Sequence, residues 1–116
     1  MIKNILTIKS MIINKHKITD ILIHGREHFF RYDNKYVWGI LKREDGVIAL
    51  SCYPQFNDVR DIEHCLLTGD NCITFSSNEF EAHESISFKD LYTIIISGGK
   101  KIDYTRILDD IIGAHV

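Results

Sequence analysis

Residues 27–53 read EHFFRYDNKYVWGILKREDGVIALSCY, and the fold turns on what this stretch becomes. It divides into three runs rich in β-branched and aromatic residues, EHFFRY, YVWGILK and VIALSCY, separated by Asp33-Asn34-Lys35 and by Glu44-Asp45-Gly46. Asp and Asn tolerate the left-handed backbone of a tight turn, and Gly adopts it without steric cost. The reading is three antiparallel strands at 27–32, 36–42 and 47–53, joined as a meander. Along the middle run, Tyr36, Trp38 and Ile40 share one face while Val37, Gly39 and Leu41 share the other, so one of these faces must be packed. Pro54 ends the third strand because it brings no N–H to a ladder.

Outside this stretch the apolar period changes to that of helices. Met1, Ile5, Ile8 and Ile12 form a stripe that predicts a helix over 2–13. Residues 15–25 fit either a second helix closed by Gly25 or a strand. Asn57, Asp58 and Asp61 set a cap and first-turn acids before Val59, Ile62 and Leu66, which predicts a short helix closed by Gly69. CITFSS at 72–77 reads as a fourth strand and 78–84 as an acidic loop. Ser87 with Asp90 resembles a capping box for a helix over 88–97 carrying Phe88, Leu91, Tyr92 and Ile95. Gly98-Gly99 would end that helix, and Asp103 would cap another over 104–112. The expected architecture is α+β: one globular domain over 1–116, with an antiparallel three- to four-stranded sheet covered on one face by N- and C-terminal helices. Trp38, Ile48, Leu50, Leu91, Ile95, Leu108 and Ile111 are its expected core.

Composition narrows the class. A chain of 116 residues, 45% hydrophobic and 26% charged with a formal charge of −2, has room for one core and enough apolar surface to fold. No segment approaches the roughly 20 apolar residues of a membrane span. The opening MIKNILTIKS lacks the apolar centre and small-residue cleavage site of a signal peptide, so a cytoplasmic setting is expected. Isoleucine outnumbers leucine and valine together, the mark of an AT-rich bacterial or phage coding sequence. Cys52, Cys65 and Cys72 cannot all pair within one chain, and buried thiols are the expectation.

Four local patterns suggest chemistry, and each has a plainer reading. His24-Gly25-Arg26-Glu27-His28 fits H-x-x-E-H, in which a helix sets two zinc-binding histidines on one face. Gly25 and the following Phe29-Phe30 instead favour a strand entrance, which would splay the histidines, and no metal is expected. Cys65 beside His64 lacks nucleophile geometry, because helix neighbours point about 100° apart and nearby acids raise a thiol pKa. Ser97-Gly98-Gly99-Lys100-Lys101 lacks the spacing of a phosphate loop and reads as a helix stop followed by solvated lysines. The N-terminal lysines and arginines are spread over 43 residues of a chain of pI about 6.3, so neither a nucleic-acid partner nor a cofactor is expected.

Charge, by contrast, is unevenly distributed along the chain. Residues 1–43 hold nine Lys/Arg against Asp20, Glu27 and Asp33, for +6, whereas 44–97 set only Arg60 and Lys89 against ten acids, for −8. The candidate partner-binding residues therefore come from the second segment: Glu44, Asp45, Asp58, Asp61, Glu63, Glu79, Phe80, Glu81 and Glu84. Complementary fields raise association rates, and an aromatic within such a field can anchor a partner. This profile is similar in type to the small immunity proteins of bacterial toxin systems, which are mildly acidic single domains without catalytic motifs. The resemblance implies a non-enzymatic module that neutralises a basic toxin domain through an acidic face. A phage-encoded inhibitor of a host defence nuclease would need the same surface. A small hydrolase or nuclease using carboxylates from 44–84 is the enzymatic alternative, although turn acids without a cation or oxyanion donor fit it less well.

Overall fold

The computed structural model describes the backbone of residues 2–64 and 72–113 and the side chains of residues 4–62 and 72–98. Helix α1 (Ile2–Ile13) leads through a 3-10 turn (Lys15–Lys17) into four consecutive strands, β1 (Ile18–His24), β2 (Glu27–Tyr32), β3 (Tyr36–Lys42) and β4 (Ile48–Tyr53). A 3-10 segment (Val59–His64), strand β5 (Ile73–Ser76), a 3-10 turn (Ser77–Glu79) and helix α2 (Ala82–Gly113) complete the order. The strands form one antiparallel sheet in sequence order, β1-β2-β3-β4-β5. The α+β class holds, but the sheet has five strands rather than three or four.

Turn chemistry explains the meander. Asp33 and Asn34 both take φ 55°, and the Lys35 N–H donates to the Tyr32 carbonyl at 3.1 Å. Gly46 at φ 88° closes the second hairpin, where the Arg43 N–H donates to the Val47 carbonyl. Within the ambiguous stretch 15–25, the residues after the 3-10 turn resolve as strand because Gly25, at φ 63°, occupies the first central position of a two-residue loop that sets His24 opposite Glu27. The β1–β2 register slips between Thr19 and Leu22, where Asp20 takes φ 55°, so the outer strand carries a bulge.

Both faces of the sheet are packed, not one. Over the first lie Ile5, Ile8 and Met11 of α1 and Phe88, Leu91 and Ile95 of α2, against Phe30, Ile40, Ile48, Leu50 and Phe75. On the second, Phe56, Val59 and Ile62 fold back over Phe29, Val37 and Tyr53. Strand β4 is consequently buried at every residue. Ile48, Leu50, Leu91 and Ile95 are core residues as expected, and Trp38 is partly buried where it packs against them at the margin of the helical layer. Leu108 and Ile111 lie outside the described side chains. So does the expected helix close at Leu66 and Gly69, and the helix itself is the 3-10 segment ending at His64.

Expectation and structure differ most at the C-terminal helices. The acidic loop over 78–84 shrinks to the 3-10 turn, and α2 begins at Ala82, with Ser87 buried inside it rather than capping it. Nor does it stop at Gly98-Gly99, so Asp103 caps no separate helix. An interior glycine costs about 1 kcal/mol relative to alanine, too little by itself to end a helix. Gly98 sits where α2 passes edge strand β1: a Cβ there would come within 3.1 Å of Ile21 Cδ1.

Candidate functional site

The fold divides the predicted binding residues between two places. The β3–β4 hairpin with Glu44 and Asp45, and the stretch after β5 with Glu79, Phe80, Glu81 and Glu84, meet at one end of the sheet, where the Ile48 N–H donates to Ser77 Oγ at 3.0 Å. Asp58 and Asp61 instead belong to the segment after β4 that folds back over the second face. Glu63 lies outside the described side chains. Arginines from the basic half of the chain also interleave with the acids. Arg26 of the β1–β2 turn reaches Glu44 of the β3–β4 turn at 3.0 Å, and Arg43 reaches Asp45 within that same turn at 2.7 Å. These acids therefore do not stand apart from the basic segment, since Arg26 and Arg43 sit among them. Such exposed pairs add little stability, but they cancel local field.

Several acids are occupied with backbone groups. Asp45 accepts the Val47 N–H, which with Arg43 holds its carboxyl below the usual range. Asp58, also lowered, bonds the Arg60 side chain and N–H, and Asp61 accepts the N–H groups of Asn57 and Asp58. Glu79 accepts the Ser76 N–H, and Glu84 that of Glu81. Phe80 is half-buried with its ring 5.4 Å from that of Phe88, so it braces the core instead of standing out as an anchor. One exposed cluster remains: ligand atoms of Glu81, His83 and Glu84 lie within 4.8 Å of one another, with His83 Nδ1 at 3.5 Å from Glu81 Oε2. Among the described residues this is the group that could hold a cation. The H-x-x-E-H residues cannot do so together, since His24 packs near Phe29 on the second face while His28 meets Tyr92 of α2 on the first.

The sequence reading missed a polar seam across the second face. Tyr53 Oη donates to Glu27 Oε2 at 2.6 Å, joining β4 to β2 across the intervening β3. Gly39 permits this: a Cβ there would overlap the Glu27 carboxylate and come within 3.0 Å of Tyr53 Cε2. Burial raises the Glu27 pKa, against the opposing pull of the Tyr53 hydrogen bond and of His24. Burial and then Glu27 push the Tyr53 phenol well up. The seam continues through Ser51 Oγ, 2.7 Å from Thr74 Oγ1, to Cys72 Sγ at 3.5 Å. A glycine inside a strand pattern is the sequence signal that could have exposed it. Cys52 is buried, which pushes its thiol up to about 11 and removes it as a nucleophile at neutral pH. Cys65 lies outside the described residues.

The chain matches no family model, no curated protein and no solved structure. Among the described residues no helix is long and apolar enough to cross a membrane.

Proposed function

We propose that this chain is a protein-binding module, an immunity protein that neutralises a cognate bacterial toxin by covering or remodelling its active site. The observation that carries the reading is the meeting at one sheet end of the 43–47 hairpin and the 77–84 stretch, which gathers Glu44, Asp45, Glu79, Glu81 and Glu84, all but Glu84 exposed and Glu84 partly so. Arg26 and Arg43 offset the hairpin pair, so Glu79, Glu81 and Glu84 supply most of the remaining field. Long-range attraction of this kind acts on the association rate and is screened by salt.

The test is a pull-down from the native host with the full chain and with Glu79, Glu81 and Glu84 reversed to lysine, followed by association kinetics. The triple variant should capture the partner with an on-rate lowered at least about tenfold at low salt and a flatter salt dependence. An unchanged on-rate would make this end ordinary solvated surface. A captured toxin whose activity survives binding would overturn the neutralising role while leaving the binding surface intact.

A further inference from the structure

A second surface lies at the opposite end of the sheet. On the helical face, Phe30, Trp38, Cys52 and Ile73 stand in register across β2 to β5. Cover along that row is uneven: Phe30 and Cys52 are buried, Trp38 is partly buried and Ile73 at the edge strand is 63% exposed. One step nearer the sheet end, Tyr32 pairs with Tyr36. Tyr32 lies under α1 with its hydroxyl donating to the Ser10 carbonyl, whereas Tyr36 is 53% exposed. The helices thus leave Tyr36 exposed and Trp38 partly exposed at the margin of the core it packs against, on one strand, two residues and about 6.7 Å apart, roughly twice the 3.4 Å step between stacked bases.

The fold also gathers cations here that looked dispersed in the sequence. The 3-10 turn holding Lys15 and Lys17 abuts the β2–β3 turn, where the Asp33 N–H donates to the Lys17 carbonyl at 2.9 Å, and Lys35 follows in that turn. Lys35 has Asp33 at 3.9 Å, too far for a tight pair, and no ion pair engages Lys15 or Lys17 among the described residues. Asp20 on β1 adds its field to Arg60 of the segment covering the other face.

From this arrangement we infer that the end of the sheet formed by Tyr36, Trp38, Lys15, Lys17 and Lys35 binds single-stranded nucleic acid. Bases stack on the two rings while the ammonium groups meet the phosphates, the pairing of aromatic platform and point charges that single strands require. An acidic peptide would satisfy the lysines but would leave the rings without flat partners. This surface is distinct from the acidic end and does not depend on it.

Trp38 is the only tryptophan in the chain, so its emission reports on the site directly. The full chain is titrated with an oligothymidylate of about ten nucleotides, within the range of single-strand site sizes. The expected result is saturable quenching at low salt, with log affinity falling against log salt at a slope of about −2 for three lysine contacts. Tyr36→Ala should weaken binding about tenfold with unchanged far-UV circular dichroism. Lys15→Glu with Lys35→Glu should weaken it further and flatten the slope. Absence of quenching would overturn the inference, and so would a polyglutamate peptide that quenches as strongly and is indifferent to Tyr36→Ala, which would assign the surface to an acidic protein.

Discussion

The two faces of the sheet are closed by different means. On the first, two helices lay Ile8, Met11, Phe88, Leu91 and Ile95 onto a mainly apolar surface, with His28 beside Tyr92 and Tyr32 Oη donating to the Ser10 carbonyl. On the second, the cover is an irregular segment with one 3-10 stretch, and the surface beneath combines Phe29 and Val37 with a carboxylate, a phenol and two hydroxyls. Helices satisfy their own backbone hydrogen bonds and so can seal a dry face. An irregular cover needs polar neighbours and opens more easily. The first face is accordingly where stability resides, and the second is where small changes in proton occupancy or backbone position are felt.

The largest effect that tests this contrast comes from truncating matched aromatics. Phe30 and Phe29 are adjacent on β2 and fully buried on opposite faces. Phe30→Ala should cost about 3–5 kcal/mol in urea denaturation, the full price of a cavity between rigid layers. Phe29→Ala should cost less, because the 3-10 cover can settle into the space. Equal losses would mean that the second cover is as rigid as the helices.

Next in size is Gly39→Ala. The new methyl group would displace the Glu27 carboxylate from Tyr53, leaving a partly buried carboxyl without its hydrogen bond at a cost of about 1–3 kcal/mol. Adding Glu27→Ala should recover part of that loss, because the second truncation removes the overlapping group. A double-mutant cycle should give a coupling of at least about 0.5 kcal/mol. Additive losses would show that the glycine serves the strand in some other way.

These two tests bear on residues of unequal visibility in the sequence. The meander was legible because its turns contain Asp33-Asn34 and Gly46, whose φ preferences act locally, and α1 because its stripe repeats at a helical period. Strand β1 was ambiguous because ITDILIH satisfies both periods, and only pairing with β2 decides between them. Helix α2 was cut in two because a glycine pair signals a stop locally, whereas the cost of about 1 kcal/mol per glycine is too small to force one. The acidic site was overread for a related reason. Charge blocks along a chain become interleaved when adjacent hairpins set Arg26 beside Glu44. The Glu27–Tyr53 contact spans 26 residues and depends on an absent side chain at Gly39, so it was invisible to any reading by period.

A smaller effect lies in the pH dependence of the second face. The folded-state pKa of Glu27 is raised above its ordinary 4.5, chiefly by burial. Between those two values the folded protein binds more protons than the unfolded chain, so stability due to this group falls as pH rises through the window and levels off above it. Glu27→Gln fixes the neutral form and keeps an acceptor for Tyr53, so its stability relative to the parent should improve from about pH 4 to pH 7. A parent that gains on the variant as pH rises would mean that the carboxylate, once charged, is held by a partner stronger than Tyr53 and His24.

The smallest effect is also the one that separates the faces most directly, because it makes the same substitution on the other side. Gly98 lies inside α2 where the helix passes β1, and an added Cβ would meet only Ile21 Cδ1, the free end of a half-buried side chain. A terminal methyl group on an edge strand can turn aside by a few tenths of an ångström, unlike the carboxylate pinned above Gly39. Alanine removes up to about 1 kcal/mol of helix-propensity penalty at an interior position, and repacking Ile21 consumes part of that gain. Gly98→Ala should therefore stabilise the fold by about 0.5 kcal/mol, opposite in sign to Gly39→Ala. The check is a shift of the urea midpoint at constant slope, which reports a change in stability without a change in the surface exposed. A destabilising Gly98→Ala would show that the α2–β1 spacing is fixed as rigidly as the seam on the other face. The enlarged variant Gly98→Val should lower the midpoint, because its branched side chain cannot fit the space that Ile21 yields.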